Sequence, residues 1–176
     1  MDRKLWMEMW GYPIQPKLRF FLWQVFRRIL PTTEKLIAKE VEVLPRGHVC
    51  WAEEETIEHL MFFCPVAVAL WEAASLQQSM HMFPREHIGI FLRCFLATDG
   101  SPQRVVRLAA LLWRIWKARN WVVFQDKQVL IPVLVVQYQS QVREWLAVLG
   151  DGVAQPGDGD RMLADREISA WGHLLF

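Results

Sequence analysis

Long unbroken apolar runs, an excess of charge of either sign and an even set of cysteines are all missing from this 176-residue chain. Its 20 basic and 19 acidic residues leave a formal charge of +1, so no global field draws or repels nucleic acid, and any basic footprint has to be local. The most hydrophobic stretch, residues 105–124, is interrupted by Arg107, Arg114, Lys117 and Arg119, and the apolar run 129–136 is short, so neither makes a good membrane span. Residues 1–10 hold no apolar run ahead of a small-residue cleavage site, so no secretory signal is expected and the mature chain is expected to begin here. Three cysteines, Cys50, Cys64 and Cys94, form an odd set that fits a reducing compartment, cytoplasm or nucleus, better than a disulfide framework. Catalytic signatures are missing too: there is no adjacent Asp-Asp pair, no glycine-rich phosphate loop and no Gly-x-Ser-x-Gly elbow, so no enzymatic activity is expected.

What is abundant is apolar and aromatic mass. Hydrophobic residues make up 53%, and ten Trp and ten Phe stand against two Tyr, so much of the ring surface has to be buried or engaged by a partner. Residues 1–150 are expected to form one mainly α domain, while the Gly/Asp-rich stretch after Gly150 reads as linker and residues 151–176 as a flexible tail. Pro16 precedes an apolar helix over 17–30, which Pro31 stops. Thr32 is placed to cap a second short helix over 33–39, with Glu34 in its first turn. Residues 41–49 read as an irregular connection or short strand. Thr56 is a good cap for a short helix ending near Cys64, and Pro65 can open the next one. Residues 75–100 are less regular apart from an apolar helix over 88–95. Ser101-Pro102 opens the strongest helix, with Leu108, Leu111, Leu112, Ile115 and Trp116 on one face. A last helix is expected over 132–149, although its Val-rich start equally suits a strand.

Cys50, His59 and Cys64 are the cluster of soft and borderline metal ligands in the sequence, and zinc is the ion that such a set suits. Five residues of continuous α-helix rotate by about 140°, so His59 and Cys64 converge only if the helix ends by Cys64. A fourth ligand is less obvious. Gly47 occupies the place where Cys-x-x-Cys spacing would put a cysteine; His48 or water could complete the set, provided the loop bends. The competing reading is a packed cysteine pair beside a helix-start histidine. Cys94 reads as a core residue, and His81 and His87 as solvated. Two basic strings, Lys17, Arg19, Arg27 and Arg28, then Arg104, Arg107, Arg114, Lys117 and Arg119, are interleaved with aromatics. They suit RNA or DNA, or an ordinary solvated helix surface.

Residues 47–71, GHVCWAEEETIEHLMFFCPVAVALW, resemble the zinc-binding domain downstream of the catalytic region in plant non-LTR retrotransposon reverse transcriptases. That family's pattern runs Cys-x-x-Cys, an acidic stretch with Glu-Thr, His-x4-Cys-Pro, then Ala and Trp. PKLRFFLW at 16–23 and Leu30-Pro31-Thr32 are similar to its lead helix and turn, and LWRIWKARN at 112–120 to a segment that commonly follows. The resemblance implies a small helical domain with a degenerate Cys/His zinc-knuckle loop between helical hairpins. It further implies zinc-ligand roles for Cys50, His59 and Cys64, with Gly47 in place of the first cysteine, and engagement of an RNA template or DNA target. A different outcome for such a copy is a host co-opted protein-interaction module, docking a protein partner through exposed aromatics and folding without metal.

Overall fold

The computed structural model describes residues 11, 12, 14–42, 49, 50, 55–125 and 128–150. Expectations about residues 1–10, Gly47, His48 and the tail from 151 lie outside the described residues. Among those described, every regular element is helical and no strand occurs. The mainly α fold expected from the apolar pattern is what forms, with the Cys50, His59 and Cys64 cluster between helices.

Helix α1 (Pro16–Arg27) has its proline in the first turn, where the missing N–H costs nothing. It buries Leu18, Phe21, Leu22, Val25 and Phe26, while Ile29 beyond its end is exposed. The helix closes on Arg28 at φ 55°, ψ 38°; the N–H of Ile29 bonds Gln24 O at 3.0 Å and that of Arg28 bonds Val25 O at 3.0 Å. This is the Schellman closure with arginine where glycine is usual. Helix α2 (Thr33–Ile37) is shorter than expected, and the Thr32 hydroxyl makes no capping bond. Glu55 takes that role instead: its Oε1 accepts from the Thr33 N–H at 3.0 Å, placing a carboxylate at the positive end of the helix.

A π-helical turn (His59–Phe63) leads through extended Cys64 into α3 (Pro65–Ala73). Helix α4 (Gln77–Met82) and helix α5 (Ile88–Asp99) give the 75–100 region more order than its pattern suggested. The chain passes directly from α5 to α6 (Pro102–Gln125) because Gly100 has no side chain: a Cβ there would lie 2.8 Å from the Leu96 carbonyl oxygen. Helix α7 (Ile131–Gly150) settles the ambiguity between helix and strand. Leu134, Tyr138 and Val142, four residues apart, are buried, so the helical period prevails over the β-propensity of the valines.

Helix α6 is the axis of the molecule. Leu108, Leu111, Leu112, Ile115 and Trp116 are buried together with Ala109, Ala110 and Ala118, so apolar residues surround most of its circumference. It packs against α7, α3, α1 and the π-helical turn. Beside it, Phe62, Trp71, Phe91 and Phe95 form a continuous ring cluster, with Phe62 and Phe91 centroids 4.8 Å apart. This cluster lies directly under the segment that carries His59 and Cys64.

Candidate metal centre

The π-helical turn explains how His-x4-Cys spacing can converge. The Cys64 N–H bonds the His59 carbonyl at 2.8 Å, an i to i+5 bond that stacks the two residues where an α-helix would swing them apart. Two neighbours hold the turn. Thr56 Oγ1 accepts the His59 N–H at 3.0 Å, which is the N-terminal cap expected of it. Pro65 has no N–H to offer the Met61 carbonyl four residues back, and the Trp71 indole N–H fills that position at 2.8 Å.

Cys50 Sγ lies 3.0 Å from His59 Nε2, and the ligand atoms of Cys50, His59 and Cys64 all lie within 4.8 Å of one another. Neighbouring ligands of a tetrahedral zinc ion with S and N donors are about 3.4–3.8 Å apart, a span this trio brackets. The donor set and its spacing therefore fit zinc, with Cys64 buried and the other two half-buried. Burial lowers the pKa of His59 against the opposing charge of Glu55, which favours the neutral imidazole that can ligate. Burial also pushes the Cys64 thiol up to about 11, with Cys50 adding to the effect and the backbone N–H groups of Val66 and Ala67 opposing it.

Beside the cluster, Glu55 Oε1 is the acceptor for four donors: the Thr33 N–H at 3.0 Å and hydroxyl at 3.1 Å, and Arg119 Nε at 3.0 Å and Nη2 at 2.8 Å. Both partners of this ion pair are buried, at 1% and 0% exposed. Arg119, expected in the second basic string, is thus a core residue, and a guanidinium with no exposed surface offers nothing to a phosphate. Arg114 is half-buried and clamps α6 to α7 through Gln137 at 3.1 Å and Gln141 at 2.9 Å. Lys117 stands 5.8 Å above the Trp113 ring. Of the first string, Arg19 donates to the Tyr12 carbonyl and Arg28 pairs with Glu58 at 3.0 Å, while Lys17 and Arg27 are exposed.

Sequence reasoning read His87 as solvated, where it is half-buried, and passed over Glu58 and Arg93. His87 caps α5, its ring nitrogen accepting the Gly89 N–H at 3.1 Å. Glu58, 7% exposed, joins Arg28 to the Ile88 N–H. Arg93 lies over the Phe26 ring at 5.5 Å. A histidine before an apolar run, at position 87, carried a capping signal; the other two depend on contacts distant in sequence.

Residues 2–71 match the family model described as zinc-binding in reverse transcriptase. No curated protein and no solved structure matches the chain. The match contains all three candidate ligands and ends inside α3, so α4 to α7 lie beyond it.

Proposed function

We propose that this chain, whose residues 2–71 match the family model for zinc-binding in reverse transcriptase, is a retroelement-derived, non-catalytic module whose Cys50, His59 and Cys64 hold a structural zinc ion and whose helical body engages nucleic acid. The convergence of three thiol and imidazole donors within 4.8 Å carries this reading. His48 or a water completes the tetrahedron. Zinc, when bound, supplies a cross-link between the Cys50 segment and the π-helical turn, and its binding energy adds to folding energy. The surrounding aromatic core gives the ligands a fixed frame, so the site is largely formed before the ion arrives.

The test is elemental mass spectrometry of the full chain beside Cys50→Ser and His59→Ala. The expected result is one zinc per chain in the parent and none in either variant; a well-folded parent that takes up no zinc overturns the metal assignment. For nucleic acid, the expected signature is an affinity that falls steeply with added salt.

One observation favours a second reading. Leu130, Val133, Val136 and Val148 on or beside α7 are 48–69% exposed, an apolar load that suits a protein partner of a host co-opted module. Concentration-dependent self-association without salt-sensitive affinity for RNA or DNA would favour that reading over the first.

A further inference from the structure

Where α1 ends and α5 begins, an open cleft of about 310 Å³ lies over Phe26, between Arg27 and Arg28 on one side and His87, Gly89 and Arg93 on the other. Among the described residues, every polar side chain lining it is a hydrogen-bond donor. Three are guanidiniums. The fourth is His87, whose Nδ1 accepts the Gly89 N–H, so that the neutral ring carries its proton on Nε2. Among the described residues, no carboxylate lines the cleft. Glu58, on the buried side, takes one N–H of Arg28 and so neutralises part of one cation. Among the described residues neither Arg27 nor Arg93 has a carboxylate partner.

The geometry is built in. Arg28 stands at φ 55°, a conformation disfavoured for any residue with a Cβ, and its Glu58 bond ties the end of α1 to the start of α5. Arg93 is set over the Phe26 ring. A Cβ on Gly89 would come within 3.0 Å of His87 Cε1, so only glycine leaves the imidazole where it is without displacement. Several separated donors around a cleft larger than one anion match a ligand with successive acceptor groups along a chain. Planar guanidiniums are the usual partners of phosphate oxygens.

We propose that this cleft binds the phosphodiester backbone of a nucleic acid, with Arg27 and Arg93 making the phosphate contacts and Arg28 and His87 lining the seat. The proposal rests on the nucleic-acid reading above and gives that reading an address. In a protein of formal charge +1, a cleft with three arginines and, among the described residues, no acid in its lining is a local footprint of the kind that composition required.

The experiment is fluorescence anisotropy with a labelled 12-nucleotide single-stranded RNA, and in a second arm a labelled DNA duplex, across a salt series. The full chain is compared with Arg27→Ala/Arg93→Ala, with Arg27→Lys/Arg93→Lys, and with a charge-matched Lys39→Ala/Arg143→Ala control. Both target side chains are exposed, so circular dichroism should be unchanged. The alanine pair should lose about tenfold or more in affinity at low salt, and the log–log salt slope should fall by roughly 1–2, since each phosphate contact carries about 0.7 on single strands and 0.9 on duplex. The lysine pair should keep the slope and the control should bind as the parent does. If the parent binds with a steep salt dependence and the alanine pair binds equally well, the cleft is overturned and the nucleic-acid reading stands. If the parent binds neither probe at low salt, both fall.

Discussion

A single carboxylate oxygen, Glu55 Oε1, gathers four donors from Thr33 and Arg119, which places the junction of three chain segments on one buried charge. Removing one partner of a buried pair leaves the other uncompensated, and this typically costs about 3–5 kcal/mol. Arg119→Leu should therefore lose a few kcal/mol in urea unfolding, and Glu55→Gln in the Arg119→Leu background should recover part of it; a loss below about 1 kcal/mol would refute a role for the pair in holding the fold. At Cys64 the same burial acts on a proton. With its thiol pushed up to about 11, Cys64 is protonated at neutral pH, and a metal ion can ligate the sulfur only by displacing that proton. Zinc affinity should accordingly rise by at least about tenfold per pH unit between pH 6.5 and 7.5, measured by chelator competition, because each displaced proton contributes one factor of ten. The Cys64→Ser variant should lose that part of the dependence.

At the scale of elements, the π-helical turn converts a five-residue spacing into a pair of ligands on one face. Its cause is local: Pro65 denies the Met61 carbonyl its α-helical donor, and Trp71 takes the position. Pro65→Ala restores an N–H that can extend an ordinary α-helix through Cys64, which would turn His59 and Cys64 apart by about 140°. Zinc affinity should fall by at least an order of magnitude while the urea midpoint of the metal-free protein changes little; equal affinity would show that the π geometry is not what aligns the ligands. Much of this was legible beforehand. His-x4-Cys-Pro, the Thr56 cap, the start of α6 and the condition that the helix end by Cys64 all follow from spacing and from proline chemistry. The π geometry was not, because hydrophobic periodicity is read on a 3.6-residue repeat and a single extra residue per turn leaves no mark in it. Arg119 was misread for a different reason. An arginine interleaved with tryptophans looks the same in sequence whether it faces water or the core, and only Glu55, 64 residues away, decides which.

At the scale of the whole molecule, the segment that carries Cys50, His59 and Cys64 is held in part from beyond residue 71, where the family match stops. Arg119 reaches back to Glu55 from α6, and α6 also supplies Leu111, Leu112 and Trp116 to the core against which the π-helical turn packs. A fragment ending at residue 100 removes all of these and exposes the apolar faces of α1 and α3. It should show no cooperative thermal transition even with zinc, whereas a fragment ending at residue 150 should melt as one unit; a cooperative melt in the shorter fragment would mean that the ligand segment folds alone. The seam between α6 and α7 can be tested by pH without cutting the chain. Tyr138 is 2% exposed, its hydroxyl lies 3.4 Å from the Arg107 carbonyl, and burial pushes its pKa up to about 12 against the opposing charge of Arg107. A folded-state pKa raised above the unfolded value of 10 means that this contribution is fully present below pH 10 and is lost as pH climbs toward 12, because only the unfolded chain readily releases the proton. Tyr138→Phe, which keeps the ring and removes the titrating group, should therefore cost little at pH 7 and lessen the decline in stability between pH 10 and 12. Parallel urea curves for parent and variant across that interval would show the decline to originate elsewhere.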